Sequence, residues 1–155
     1  MRRIIAYLVR FAAILVGYVV ASLAASGFLN ILFLAHLGYT PANPEPTATA
    51  SLYFSVPFLA LFVAYFAFVP AVIVIIIAEI LGRRDWLFYA LGGAVIAVVF
   101  LGFAHNIADA EFDITGTNAR LALVGAGMVG GIFYWLSAGR WAGSWRREPL
   151  LGSEP

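Results

Sequence analysis

Three observations predict an all-α, polytopic membrane protein with four transmembrane helices and both termini cytoplasmic. Hydrophobic residues make up 63% of the 155-residue chain and charged residues only 11%, too little polar surface to coat a soluble globule. Four apolar stretches nearly exhaust the chain, each long enough to meet the roughly 20 residues that a hydrocarbon core of about 30 Å demands. The arginines between them fall almost wholly on alternate loops.

The first span is expected over about residues 11–34, behind Arg2, Arg3 and Arg10. The others are expected over about 51–81, 86–104 and 119–138, so that residues 1–155 form a single integral-membrane four-helix bundle. Each span reads as a helix because lipid offers backbone groups no partner outside a helix or a closed barrel. Barrel strands would alternate polar and apolar residues, and these stretches do not. A straight helix over all of 51–81 would reach roughly 45 Å at 1.5 Å per residue, so this segment must tilt, bend or begin at the interface. Pro57 and Pro70 supply the means, since each removes an amide donor and crowds the carbonyl four residues back; a bend is expected near Phe66.

Charge sets the orientation. Arg2, Arg3, Arg10, Arg83, Arg84, Arg140, Arg146 and Arg147 share one side and only Arg120 lies on the other, which by the positive-inside rule makes both termini and the Gly82 to Asp85 turn cytoplasmic. The opposite loops carry the acids. The first, from about His36 to Ala50, has no basic residue and holds Pro41, Pro44 and Pro46, which predicts an extended, non-helical linker. The second holds Asp109, Glu111 and Asp113. Trp86, Trp135, Trp141 and Trp145 cluster at the predicted cytoplasmic interface, while Tyr39 and Tyr53 mark the other surface. Residues 146–155 lack apolar periodicity and are expected to be a disordered tail. Arg2 and Arg3, the apolar run and the small residues from Ala21 to Gly27 also resemble a secretory signal. The run continues through Leu34, too long for a signal core, so retention as an anchor is expected; cleavage would leave three spans.

Within the spans, chemistry is sparse. Cysteine is absent, which removes disulfides, thiolate metal sites and cysteine nucleophiles. Gly125-Ala126-Gly127-Met128-Val129-Gly130 matches the dinucleotide fingerprint letter for letter, but it lies within an apolar helix and lacks the preceding strand and turn that aim amides at pyrophosphate. Close helix packing is the expected role. Ala122, Ala126 and Gly130 recur every fourth residue, as do Gly127 and Gly131, which lets backbones approach. In the first span Tyr18, Ser22, Ser26 and Asn30 recur every fourth residue beside Gly17, Ala21 and Ala25. Such a stripe can line a solute path or bond neighbouring helices together; without a charged member, interhelical bonding is expected. Glu79 stands four residues before Arg83, the spacing and order of a helical ion pair, and Arg10 is placed to snorkel to headgroups.

The candidate metal residues are His36, His105 and Asp109, all on the outer side, with Glu111 and Asp113 nearby. Imidazole and carboxylate ligands suit zinc or copper, but no standard ligand spacing is present, so neither a metal nor any other cofactor is expected. The helix-borne zinc motif, the serine elbow and the Walker A loop are absent as well, and no enzymatic activity is expected.

Gly131-Ile132-Phe133-Tyr134-Trp135-Leu136-Ser137-Ala138-Gly139-Arg140, followed by Ala142 and Gly143, resembles the carboxy-terminal signature of small uncharacterised bacterial four-span inner-membrane proteins. The resemblance implies that compartment and lends no activity. Physically, Gly139 can end the helix and Arg140 can meet its dipole and anionic headgroups. The exclusive use of arginine as the basic residue, with abundant Ala and Gly, is in keeping with a GC-rich bacterial coding bias. A non-enzymatic accessory or assembly subunit of a membrane complex is therefore expected, with the lipid bilayer and other membrane subunits or copies of itself as partners and no nucleic acid. The alternative is an oligomeric small-solute or ion transporter or channel. Small multidrug exporters share this size and span number, but their membrane-embedded first-span glutamate has no counterpart here.

Overall fold

Four long helices are threaded so that consecutive ones run in opposite directions: α1 (Arg2–His36), α2 (Pro46–Leu81), α3 (Trp86–Ile107) and α4 (Thr117–Ser137), closed by a 3₁₀ turn at Gly139–Trp141. The computed structural model describes residues 2–38, 46–107 and 116–142. Each of the four helices contains a stretch long and apolar enough to cross a membrane, and no strand occurs among the described residues. The chain is an all-α, multi-pass membrane protein.

Two helices begin before the expected spans. α1 begins at Arg2 rather than near residue 11, and α2 begins at Pro46 rather than near 51. Part of the expected extended linker is thus helical: Pro46 sits at a helix start, where its missing amide would have had no partner. In α1 the apolar run itself begins at Ile4, on the far side of Arg10, whereas in α2 the first turn lies ahead of an apolar run that starts at Ala50. α2 runs through Pro57 and Pro70 without a break in helix, and its 36 residues span about 54 Å at 1.5 Å per residue. Residues 39–45 of the linker, the acidic loop over 108–115 and the expected tail over 146–155 lie outside the described residues.

The turn between α2 and α3 has a local cause. Gly82 adopts φ +61°, the left-handed conformation that costs a glycine nothing. It lets Arg83 N donate to Ala78 O at 3.0 Å while Gly82 N donates to Glu79 O at 3.4 Å, satisfying two of the carbonyls that the end of α2 leaves open. α4 stops without such a glycine: Ala138 caps it at φ −132° and donates to Tyr134 O.

Small residues set how closely the helices lie. α4 packs most extensively, on α3 along one face and on α1 along another. On the α3 side, a Cβ built on Gly127 would overlap Gly93 O, one on Gly131 would overlap Tyr89 O, and one on Gly93 would overlap Gly127 O. The two backbones touch with no side chain between them. On the α1 side a Cβ at Gly130 would lie 3.2 Å from Ala21 O and 3.4 Å from Ala25 Cβ, and one at Gly17 would lie 2.7 Å from Ala138 Cβ. The fourfold repeats of Ala and Gly in α4 therefore serve two neighbours, and Gly17, Ala21 and Ala25 belong to the α1–α4 contact. α2 is held mainly by α1 and touches α3 more sparsely.

Candidate functional site

Chemistry-bearing side chains gather in two places, a polar seam between α1 and α2 and a cluster at the end of the bundle where α1 begins. Between them lies a cavity.

The seam is built from the first-span stripe. Tyr18 Oη donates to Ala64 O at 2.6 Å, Ser26 Oγ donates to Val56 O at 2.7 Å, and Ser55 Oγ donates to Asn30 Oδ1 at 2.6 Å. Ser22 Oγ turns back to Tyr18 O at 3.0 Å, and Asn30 Nδ2 donates to Ser26 O at 3.0 Å. Two of these bonds end on main-chain carbonyls of α2, each of which has a second lone pair beyond its helical bond. Ser22 and Ser26 are buried. The spacing of four puts all four residues on one face, and that face looks at α2.

At the end where α1 and α3 begin and α2 and α4 finish, Arg10 joins three helices. Its Nη2 pairs with Glu79 Oε1 and its Nη1 donates to Ala138 O at 3.2 Å. The side chains of Arg10 and Glu79 are only 14% and 17% exposed, so this is a shielded pair. The structure thus gives Glu79 a partner from another helix, and Arg83, expected to pair with it, reaches Asp85 Oδ2 at 3.3 Å from an exposed position. Arg10, expected to snorkel outward, turns into the bundle, where the Glu79 carboxylate and the Ala138 carbonyl both meet its guanidinium. Arg84 Nε donates to Ala142 O at 3.0 Å and Trp135 Nε1 donates to Arg84 O at 2.6 Å, which tie the α2–α3 turn to the end of α4. Arg140 lies over the Trp141 ring, 5.3 Å from its centroid, a cation–π contact.

Next to this cluster stand two buried tyrosines, Tyr89 of α3 and Tyr134 of α4, with ring centroids 5.4 Å apart. Tyr89 Oη donates toward Arg83 O at 3.3 Å and Gly139 O at 3.4 Å. Gly139 is glycine because a Cβ there would stand 2.8 Å from Tyr89 Cζ. Tyr134 Oη and Arg10 Nε are buried and have no hydrogen-bond partner among the described residues.

A cavity of about 850 Å³ runs between the four helices, its wall incomplete, with Tyr134 and Tyr89 toward the arginine end and Phe33, Phe100 and Ala119 toward the other. Its lining is overwhelmingly aliphatic and aromatic; Tyr18 and Ser22 are the polar contributions from the stripe.

The sequence-derived metal candidates do not form a described site. His36 is exposed at the end of α1. His105 falls in the last turn of α3, at the same end of the bundle, and Asp109 lies outside the described residues. Among the described residues no group of three or more His, Asp or Glu side chains could hold a metal ion.

Sequence reasoning missed Gly93, the Arg10–Glu79 pair and the two tyrosines. Gly93 carried a readable signal, since Tyr89, Gly93 and Ala97 repeat every fourth residue and so share the helix face turned to α4. The tyrosines and the cavity had none, because an apolar span with a tyrosine near its end reads equally well as an interfacial belt. No protein-family model, curated protein or solved structure matches the chain.

Proposed function

We propose that the chain is a multi-pass protein of the bacterial inner membrane, with both termini in the cytoplasm, serving as a non-enzymatic accessory or assembly subunit of a larger membrane complex or of an assembly of its own copies. The outer face of α2 carries this reading. Phe54, Phe58, Leu61, Tyr65 and Phe68 follow one another at alternating intervals of four and three, and all are exposed, the 3.5-residue rhythm of a seam that meets another helix. Tyr65 is 78% exposed at the middle of the apolar stretch Ala50–Leu81. A hydroxyl facing hydrocarbon at that depth forgoes its hydrogen bonds, and a partner helix would restore them. The orientation rests on the arginines, which crowd the end where Arg10, Arg84 and Arg140 lie.

A transporter reading draws support from the cavity, but only for hydrophobic cargo. The stripe that would line an ion path spends its hydroxyls and amide on α1 and α2, and the remaining wall is too apolar to replace an ion's hydration.

Purification from native membranes in mild detergent, with mass spectrometry of what accompanies the chain, tests the subunit reading. Partners or further copies at fixed stoichiometry are expected, and their yield should fall in Tyr65→Ala. A lone chain after gentle cross-linking of intact membranes would refute it. An alkaline phosphatase fused after Pro155 should be inactive, and activity would overturn the orientation.

A further inference from the structure

We propose that the end of the bundle formed by the α2–α3 turn and the 3₁₀ turn after α4 binds the headgroup of an anionic phospholipid, its phosphodiester held by Arg84 and Arg140. The inference needs only that this end reaches a headgroup layer, and it stands whether or not a partner covers α2.

Arg10, Arg83, Arg84 and Arg140 lie at this end, and their charges are not equally spent. Arg10 is paired with Glu79 inside the bundle and Arg83 with Asp85 at its surface. Arg84 and Arg140 have no carboxylate among the described residues, so both positive charges stand there without a counter-ion. Nor are they consumed as helix caps. Arg84 donates through Nε to Ala142 O at 3.0 Å; the side chain is half-buried, and Nη1 and Nη2 find no acceptor among the described residues yet stay open to the surface. Arg140 is exposed, and the nearby carbonyls of Ala138 and Gly139 are met by Trp141 N and Ala142 N instead. What Arg140 touches is the Trp141 ring, a contact that uses its charge and leaves its N–H groups for an acceptor. A phosphodiester supplies that acceptor, since its paired oxygens suit the planar fork of a guanidinium.

Both arginines are anchored on the segment that ends α4. Arg84 is fixed there twice, through Nε on Ala142 O and through its own carbonyl, which accepts from Trp135 Nε1 at 2.6 Å. Trp86 and Trp141, both exposed, stand two residues from Arg84 and next to Arg140, and tryptophan at a helix end marks the headgroup level. Toward the middle of the spans, Leu87 and Leu91 of α3 and Leu136 and Phe133 of α4 are exposed, an apolar surface for acyl chains. That surface selects a lipid over a free phosphate. Charge selects an anionic lipid over a zwitterionic one: an ethanolamine ammonium would stand beside two unpaired guanidinium groups, and Asp85, the carboxylate next to Arg84 in sequence, already serves Arg83.

The test is native mass spectrometry of the full chain in mild detergent, titrated separately with phosphatidylglycerol and phosphatidylethanolamine of identical acyl chains. Phosphatidylglycerol is expected to bind at least about fivefold more tightly, the weight of one arginine at an anionic surface. Arg140→Gln alters an exposed side chain and should lower that affinity about fivefold; Arg84→Gln with Arg140→Gln should erase the preference. Arg83→Gln removes the same formal charge from the same turn but should matter much less, because Arg83 is already paired. If Arg84→Gln disturbs the turn by losing its contact with Ala142, the comparison of Arg140→Gln with Arg83→Gln carries the decision. The deacylated headgroup, glycerophosphoglycerol, should not displace the lipid at equal concentration. Equal binding of the two lipids, unchanged affinity in Arg140→Gln, an equal loss in Arg83→Gln, or displacement by the deacylated headgroup would each overturn the proposal.

Discussion

The two seams of this bundle are made by opposite means. α1 and α2 are joined by side-chain hydroxyls and an amide that reach across to the facing helix, whereas α3 and α4 meet where side chains are missing. The polar seam depends on three bonds between helices, from Tyr18, Ser26 and Ser55, and each can break without forcing the helices apart. The glycine seam depends on the contact of Gly93 with Gly127 and of Gly131 with Tyr89 O, and nothing can be added there. In lipid, where burial of apolar surface does not drive helices together, the glycine seam gains from dispersion and the polar seam from bonds that hydrocarbon cannot supply. The first is rigid and intolerant; the second is tolerant and reversible.

The strongest attempt to break that contrast is Gly131→Leu. A leucine must displace Tyr89 O, so α3 and α4 separate, and a loss of about 3 kcal/mol is expected, at the upper end for overpacking. Thermal unfolding in detergent should show it, as should Gly127→Leu; unchanged melting in both would mean that this face does not pack on α3.

Glu79→Ala comes next. It strips Arg10 of its carboxylate beside Tyr134, and the expected cost is about 2 kcal/mol, below the 3–5 kcal/mol of a fully buried pair because both side chains retain some exposure. Arg83→Ala should have little effect. If Arg83→Ala destabilised as much as Glu79→Ala, the pair within one helix would be the one that counts.

The polar seam should give way gently. Ser26→Ala removes one bond to Val56 O and is expected to cost on the order of 0.6 kcal/mol, the average for hydrogen bonds between membrane helices. Ser22→Ala should cost no more, since its bond stays within α1. Solute or proton flux in reconstituted vesicles, lost in Asn30→Leu while the fold persists, would turn the seam into a pathway. The smallest effect is expected from His36→Ala with His105→Ala, which should leave folding and metal content unchanged; one equivalent of zinc or copper lost with either histidine would establish a site at that end.

The same contrast shows what could be read from sequence. Spans and their count follow from composition, because lipid selects on apolarity residue by residue. The polar face of α1 and the small-residue face of α4 follow from spacing, because a helix repeats itself within a few residues. Partners do not. That Ser26 meets Val56, or that Gly127 meets Gly93, depends on how two helices are rotated about their own axes, which no local pattern specifies. Glu79 is the sharpest case: spacing offered Arg83 one turn away, but Arg10, 69 residues distant in sequence, wins because it lies inside the bundle. The helix start at Arg2 is hidden by Arg10, a charge that reads as the edge of the span although the apolar run begins at Ile4; the start at Pro46 is hidden because the residues before Ala50 are too polar to register as a span. The cavity is a property of four surfaces at once, and no single segment encodes it.

The polar seam also bears on how the protein is made. α1 leaves the ribosome before the helices it packs on, carrying Arg10 and, deeper, Tyr18, Ser26 and Asn30 into a membrane whose hydrocarbon offers hydroxyls and amides no partners. Every side-chain bond they make to another helix, save one, ends on α2, the next helix to emerge: Ala64, Val56, Ser55 and Glu79. The first hairpin can thus meet its own polar needs before α3 and α4 exist. Only the contact of Arg10 with Ala138 must wait, and it waits for the helix that brings the glycine faces. The nascent chain is never required to hold its polar stripe exposed to lipid while α3 and α4 are synthesised.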